Sequence, residues 1–339
     1  AREVGMRLLQ FETANSEQRV GVAEESGARF AVLAGTERIY DLAIEAAHGG
    51  VTLESVAAAR VSDETVAYEA LLAEQRLLPP LDHPDPAHCL VTGTGLSHLG
   101  SAQARDEMHA KLSGDAAELS DSMKMFKMGL EGGKPAPGAI GVQPEWFWKG
   151  DGSILVGCGR PLRSPPFAED AGEEGEIAGL YVIGADGRPF RVGFALGNEF
   201  ADHVMERRNY LYLAHSKLRP CALGPELLCG PLPEDVTGMI RVRRGAAVLW
   251  EAEMLSGEAN MSHSIANLEH HHFKYPLFRR PGDVHVHFFG AGVLSFPAGI
   301  QARAGDVFEI EAPPFGRPLQ NPLALEEGKG GGPVAVTPL

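Results

Sequence analysis

Two carboxylates stand two positions apart at the start of an apolar segment. Glu174 and Glu176 open a run through residue 181 that has the composition of a buried strand. Alternate residues of an extended chain point to the same face, so we expect the two carboxylates to converge. Such a pair on a buried surface is costly to desolvate, and a divalent cation such as Mg²⁺ relieves the repulsion. The spacing is compatible with a metal site, but this segment taken alone favours a solvated acidic loop, because Glu169 and Asp170 lie just upstream.

Two further segments extend this candidate site and favour the metal interpretation. In residues 194–199 a third carboxylate, Glu199, follows an apolar strand and a Gly-Asn turn. Downstream, Ser216 and Lys217 lie in a small-residue, apolar setting, where a buried ammonium needs an anionic partner. That partner is either the carboxylate or enolate of a substrate or a side chain in a structural salt bridge.

A histidine-rich stretch offers a rival metal site. His263, the run 270–272, His285 and His287 lie close together in sequence, and such clustering can indicate zinc. Three consecutive histidines cannot all face one ion, however. His285 and His287 share one face of a predicted strand, where a buried, hydrogen-bonded pair is the simpler explanation. We therefore favour hydrogen bonding over zinc.

The composition restricts the partners of the protein. The 339 residues carry a formal net charge of −15, which argues against nucleic acid or an anionic membrane surface as a partner. No segment approaches the roughly 18 apolar residues of a membrane span, and the start lacks the apolar core of a signal peptide. We expect a cytoplasmic location. The four cysteines have no metal-pair or redox spacing and are interpreted as buried, reduced thiols: Cys89, Cys158, Cys221 and Cys229.

Short apolar runs between turn residues predict a β-rich α+β fold in two parts. The chain contains 41 Gly and 24 Pro, which favours many strands over long helices. Strands at 6–11, 19–23 and 30–33 with helices at 39–47 and 63–74 predict a small N-terminal α/β lobe over 1–85. A proline-rich connector at 76–86 separates it from a catalytic domain over 86–339.

The second part of the chain is predicted to consist mainly of strands. A polar segment at 97–111 with helical tendency is interpreted as a lid or exposed loop, and the Gly- and Pro-rich tail at 326–338 as a surface segment. The predicted strands are 154–157, 176–183, 190–196, 238–243, 248–254, 284–289 and 307–311.

Six short motifs follow one another in a characteristic order. They are Leu78-Pro79-Pro80 before the strand at 89–92, Gly175-Glu176-Ile177-Ala178, Gly197-Asn198-Glu199, Ser216-Lys217, Pro281-Gly282-Asp283-Val284 and the run 304–310. Over essentially the whole chain this order resembles the fumarylacetoacetate hydrolase superfamily. The resemblance implies a mixed β-roll catalytic domain, with Glu174, Glu176 and Glu199 binding Mg²⁺ or Mn²⁺. It also implies that Lys217 and Lys149 face the substrate.

Departures from the family pattern bear on the reaction. Glu199 replaces the usual aspartate, which lengthens the side chain by one methylene but keeps a hard oxygen ligand. The segment 95–101 lacks the His-x-x-Glu arrangement with which hydrolases of the family activate water. The strand end at 286–292 lacks the Thr-Gly-Thr-Pro of many members. These differences weaken the case for C–C bond hydrolysis.

Four segments are more similar to one branch, the AraD1-like branch, which is associated with sugar-acid catabolism. They are 94–98, 123–129, 142–147 and 197–200. This similarity implies dehydration of a 2-keto-3-deoxy pentonate, such as the arabinonate or xylonate, to 2,5-dioxopentanoate (2-oxoglutarate semialdehyde). Lys217, His98 and Glu206 would be the catalytic residues, and the family likeness implies a homodimer.

Two alternative functions remain open from the sequence. The first is metal-dependent C–C hydrolysis of a 2,4-diketo acid, which requires a poised water and its base. The second is a non-catalytic sugar-acid binding protein that keeps the fold without turnover; the intact carboxylates and lysines argue against it.

Overall fold

The computed structural model describes residues 5–100, 119–326 and 333–339. Most of the predicted lid at 97–111 and part of the predicted surface tail lie outside the described residues. The strands are β1 Arg7–Glu12, β2 Gln18–Ala23, β3 Arg29–Leu33, β4 Val61–Ala67, β5 Leu77–Leu78, β6 Cys89–Gly93, β7 Phe147–Asp151, β8 Leu155–Val156, β9 Leu162–Ser164, β10 Gly175–Ile183, β11 Pro189–Asn198, β12 Cys221–Leu223, β13 Leu227–Leu228, β14 Val236–Arg244, β15 Ala247–Ser256, β16 Val284–Phe288, β17 Val307–Glu311 and β18 Leu319–Leu325. The α-helices are α1 Ile39–Gly49, α2 Leu53–Ala58, α3 Tyr68–Ala73, α4 Asp121–Gly132, α5 His203–Arg208, α6 Leu213–Ser216 and α7 Ile265–Phe273.

A 13-stranded mixed sheet carries most of the strands. Its main path runs β4-β3-β2-β1-β13-β11-β10-β16-β6-β7. The pairs along this path are antiparallel except β16 with β6, which is parallel. The sheet therefore continues without a break from the N-terminal strands into the strands of the second part, through the pairing of β1 with β13. The boundary near residue 85 stays a prediction.

The two faces of β10 and β11 pack against different partners. On one face, Ile177 and Phe194 join a core with Ile240 and Ile310 of a 5-stranded sheet of order β15-β14-β17-β18-β9. On the other face, apolar side chains of β10, β11 and β16 pack with α1 and α2. Both strands are buried on both sides over most of their length. The central pair is thus held rigidly from two sides.

The predicted β-rich α+β character is confirmed, with one error in the N-terminal part. The strands predicted at 6–11, 19–23 and 30–33 correspond to β1–β3, and the helix predicted at 39–47 corresponds to α1. The helix predicted at 63–74 is wrong in its first half, because Val61–Ala67 is a strand paired with β3. The β-branched residues Val61, Thr65 and Val66 favour a pleated backbone once a neighbouring strand is available.

In the second part, the strands predicted from 176 to 311 correspond to β10, β11 and β14–β17, and each strand end differs from the prediction by at most two residues. The helix α7 was not predicted; Ser264 caps it by accepting a hydrogen bond from the Asn267 amide. All four cysteines are buried and unpaired, as expected. Among the described residues, no helix combines the length and apolar character that crossing a bilayer requires.

Gly193 provides a test of the packing between β11 and β13, the strand that links β11 to the N-terminal strands. A Cβ at this position would lie 2.3 Å from the Leu228 carbonyl oxygen in β13, so backbone has to move. We expect Gly193→Ala to lower the free energy of unfolding by about 1–3 kcal/mol. In Gly49→Ala, a matched control at the end of α1, the new Cβ would only touch Val51 Cγ2 at 3.5 Å. The urea midpoints of the two variants compare their losses of unfolding free energy. Equal midpoints would contradict the tight packing of Gly193 against β13.

Candidate active site

The antiparallel pairing of β10 with β11 brings the three predicted carboxylates together. Glu176 faces Gly197 in the register, so Glu174 just before β10 and Glu199 just after β11 meet at the same end of the pair. The Glu199 amide donates to the Glu174 carbonyl at 2.9 Å, and the Glu174 amide donates to Asn198 Oδ1 at 3.1 Å. All three carboxylates are buried, and one oxygen from each lies within 4.8 Å of the others.

Lys217 bridges two of these carboxylates. It ends α6, and its Nζ donates to Glu174 Oε1 and to Glu199 Oε2, each at 2.6 Å. The ammonium also lies 4.9 Å from the centre of the Phe147 ring. Burial alone would lower the pKa of Lys217, but the two adjoining carboxylates outweigh it and raise that pKa above its usual value. Lys217 therefore remains a cation at neutral pH.

Lys149 is fully engaged with protein acceptors. Its buried Nζ lies 2.5 Å from Glu199 Oε1 and donates to the carbonyls of Phe200 at 2.7 Å and Lys217 at 3.0 Å. An ammonium has three protons, and these contacts use them. The observed contacts assign Lys149 to holding Glu199 in place. The predicted contact of Lys149 with substrate is not tested by these contacts and stays a prediction.

The three carboxylates differ in how their charge is compensated. Burial raises the pKa of Glu174, but Lys217 and His203 outweigh it and hold that pKa well below its usual value. Burial raises the pKa of Glu199 to about 7, against the opposing effect of Lys149 and Lys217. Glu176 accepts a hydrogen bond from the Gly290 amide at 2.7 Å, and burial together with the charges of Glu199 and Glu174 raises its pKa well above the usual value. Glu176 is therefore the carboxylate that most needs a further cation.

His203 belongs to this cluster although the sequence analysis did not identify it. It opens α5, and its Nε2 lies 2.9 Å from Glu174 Oε1 while its Nδ1 lies 3.5 Å from Asp170 Oδ2. Burial would lower its pKa, but these two carboxylates raise it to about 10. The one indication in the sequence was that His203 follows Glu199 by four residues. This position indicates a place in the site only when the direction of α5 relative to the strand end is known.

The other two predicted catalytic residues, His98 and Glu206, are both buried. His98 is buried, with Nε2 2.9 Å from Ser256 Oγ and Nδ1 3.2 Å from Ser97 Oγ, and burial lowers its pKa to about 4. Glu206, one turn after His203 in α5, is buried, and its charge raises the pKa of Lys217. Glu206 thus acts on the lysine that bridges the carboxylates, and the catalytic roles of both residues stay predictions.

The histidine-rich stretch forms a hydrogen-bonded cluster. His272 Nε2 lies 2.9 Å from His285 Nδ1, and the other imidazole nitrogen of His272 accepts from Trp146 Nε1 at 3.2 Å. His287 Nδ1 lies 2.7 Å from Thr92 Oγ1. Burial lowers the pKa of His272 to about 3. Among the residues that the structure describes, the three glutamates are the one group with ligand atoms close enough to share a metal ion.

No protein-family model matches the sequence, and no curated protein matches it either. Solved structures do match over almost the whole chain. One is 2-keto-3-deoxy-D-arabinonate dehydratase complexed with magnesium and 2,5-dioxopentanoate, with a TM-score of 0.68, 17% sequence identity and coverage of 95% of this chain and 100% of that chain. The chain shares the fold of this dehydratase. The fold expected from the resemblance to the fumarylacetoacetate hydrolase superfamily is confirmed.

Two isomerases match the same fold less closely. 2-Hydroxyhepta-2,4-diene-1,7-dioate isomerase from Mycobacterium marinum has a TM-score of 0.57 at 18% identity, covering 96% of this chain and 100% of that chain. 5-Carboxymethyl-2-hydroxymuconate delta-isomerase from Mycobacterium smegmatis also has a TM-score of 0.57, at 17% identity, covering 95% and 100%. The fold is therefore shared by enzymes of different reaction types, so the chemistry has to be argued from the site.

Lys149 provides a test of the internal charge pairing. In Lys149→Met the buried Glu199 carboxylate loses one of its two ammonium partners, so we expect the free energy of unfolding to fall by about 3–5 kcal/mol. Lys127→Met is the control, because Lys127 is exposed and lies 3.8 Å from Glu131; its loss costs about 0.5 kcal/mol or less. Urea unfolding in EDTA compares the variants. A Lys149 variant as stable as the control would rule out this role.

Glu176 predicts a stability change that depends on pH. Its folded-state pKa lies above the unfolded value of about 4.5. The protonated carboxylate therefore supports folding at low pH, and this contribution to the free energy of unfolding is lost as the pH rises through the folded-state pKa. In EDTA we therefore expect Glu176→Gln to unfold at a higher temperature than the parent at pH 8. The difference should shrink as the pH falls towards 4.5. A thermal midpoint lowered at pH 8 would show that the carboxylate is compensated within the protein.

Proposed function

We propose that Glu174, Glu176 and Glu199 hold Mg²⁺ or Mn²⁺, and that the chain is a member of the fumarylacetoacetate hydrolase superfamily. Carboxylate oxygens are the ligands that these hard cations prefer. The three groups are buried and close together, and the raised pKa of Glu176 reports a negative charge that the surrounding residues do not compensate. A divalent cation would relieve that charge. The donor set therefore fits the metal.

We further propose that the protein dehydrates a 2-keto-3-deoxy pentonate, such as the arabinonate or xylonate, to 2,5-dioxopentanoate. The observation that carries this proposal is a buried three-carboxylate group bridged by Lys217, in a fold shared with a dehydratase that was solved with magnesium and this product. When bound, Mg²⁺ supplies Lewis-acid polarisation of the carboxylate and keto oxygens that a 2-keto acid presents.

The reaction breaks the C3–H and C4–O bonds and releases one water. A base on the protein takes a C3 proton and the C4 hydroxyl leaves with a proton from an acid, which leaves a C3=C4 double bond conjugated to the keto group. Transfer of a proton from C5 to C3 then gives the C4=C5 enol, which tautomerises to the aldehyde by protonation at C4. Lys217, a cation at neutral pH, donates to an anionic oxygen of the substrate. Glu206, whose charge acts on Lys217, is our candidate base. His98, kept neutral by burial, is the second candidate for proton transfer.

The decisive assay measures semialdehyde formation from the D and L isomers of 2-keto-3-deoxy-pentonate with Mg²⁺. We expect product from one isomer, with activity abolished by EDTA. Glu176→Gln should lower kcat/KM by about 10³-fold, or about 4 kcal/mol of transition-state stabilisation. This variant is chosen because none of the described lysines forms an ion pair with Glu176, whereas Glu199 pairs with Lys149. Glu251→Gln, which changes an exposed carboxylate of β15, should retain full activity.

Three other results would contradict the proposal in different ways. Pyruvate released from acylpyruvates, without semialdehyde formation, would identify a C–C hydrolase at the same site. Tight binding of a 2-keto-3-deoxy acid without turnover would identify a binding protein. Equal activity with and without EDTA would exclude the proposed metal. The homodimer implied by the family resemblance is a separate proposal, which light scattering of the purified protein tests.

A further inference from the structure

We propose that His203, together with Asp170, is a positioning residue that fixes the Glu174 carboxylate in the orientation required to bind the cation. The inference rests on the proposed metal site and adds residues to it that the sequence analysis did not identify. It concerns how one ligand is aimed, and it assigns His203 no contact with substrate.

The contacts of Glu174 divide its two oxygens into different roles. Oε1 receives Lys217 Nζ at 2.6 Å and faces His203 Nε2 at 2.9 Å. A carboxylate oxygen has two lone pairs, so these two donors use the capacity of Oε1. Among the described residues, no hydrogen bond engages Oε2. The donors on Oε1 therefore set the rotation of the carboxylate and leave Oε2 for a cation.

His203 has Glu174 on one side of its ring and Asp170 on the other. Its ring is almost fully buried, with Nδ1 3.5 Å from Asp170 Oδ2 and the Phe296 ring centre 5.3 Å away. Nε2 is within hydrogen-bond distance of Glu174 Oε1, a carboxylate oxygen that only accepts, whereas the contact of Nδ1 with Asp170 is an ion-pair distance without a hydrogen bond. The preceding residue, Asp202, caps α5 by accepting from the Met205 amide at 2.9 Å, which fixes the backbone from which the ring projects.

Gly172 provides independent support for a reserved place for this ring. A Cβ at Gly172 would lie 2.1 Å from His203 Nδ1 and 2.4 Å from its Cε1. The residue is paired with Ala201 in an isolated bridge, through reciprocal backbone hydrogen bonds of 3.0 Å. The ring therefore packs directly on the backbone between Asp170 and Glu174. Any side chain at 172 would displace it.

The test is the affinity for Mn²⁺ alone, measured by electron paramagnetic resonance of the free ion. Groups that orient a metal ligand typically contribute 10–100-fold to affinity, so we expect His203→Ala to raise the Kd by about that factor. His203→Gln, which keeps one N–H donor for Glu174, should recover most of the loss. Gly172→Ala should weaken binding in the same direction, although it removes no polar group. Urea unfolding in EDTA is measured for each variant to separate affinity from global stability.

The outcomes distinguish this inference from the metal site on which it rests. If the parent binds Mn²⁺ and Glu176→Gln does not, the metal site stands. An unchanged Kd in His203→Ala would then overturn the positioning role alone. Equal loss of affinity in the Ala and Gln variants, in proportion to lost unfolding free energy, would also overturn it, because it would show a purely structural role. A parent protein that binds no Mn²⁺ would overturn both proposals.

Discussion

Burying three carboxylates at one place is the constraint on which the rest of the site depends. Like charges in a poorly hydrated setting raise one another's pKa and oppose folding, unless cations stand beside them. The protein meets this demand unevenly. Glu199 has two ammonium groups, Glu174 has an ammonium and an imidazole, and Glu176 has a backbone amide. This inequality indicates where a further positive charge belongs.

The fold satisfies the same constraint through strand register. The pairing of β10 with β11 sets the distance between Glu176 and Glu199, and the sheets and helices packed on both faces of these strands prevent the register from slipping. Lys149 then ties separate segments together, since its one ammonium contacts the end of β11 and the end of α6. A single side chain thus fixes both Glu199 and the residue that carries the bridging ammonium, Lys217. Positional accuracy at the site comes from residues that lie within, or directly adjoin, paired strands and helix ends.

The parts of the site that follow from local geometry could be predicted from the sequence. The shared face of Glu174 and Glu176 follows from the period of two in an extended chain, and Glu199 follows from an apolar strand that ends in a Gly-Asn turn. What could not be predicted depends on packing between distant segments. Lys149 lies 50 positions from the carboxylate it holds, and nothing in its neighbourhood in sequence shows that backbone carbonyls would consume its protons. The role of His203 could not be predicted for the same reason, because it depends on the direction in which α5 leaves the strand.

Glu199 stands where the family resemblance leads us to expect an aspartate, and the contacts of Glu199 indicate what the longer side chain does. Its two oxygens contact different lysines, Oε1 with Lys149 at 2.5 Å and Oε2 with Lys217 at 2.6 Å. The added methylene gives the carboxylate the reach to span two ammonium groups that approach from separate elements, β7 and the end of α6. A cation bound beside Glu176 would then lie near Glu199, whose negative charge is already shared with two ammonium groups. Charge compensation at Glu199 therefore comes from the protein itself, whereas Glu176 is the carboxylate left for the proposed cation.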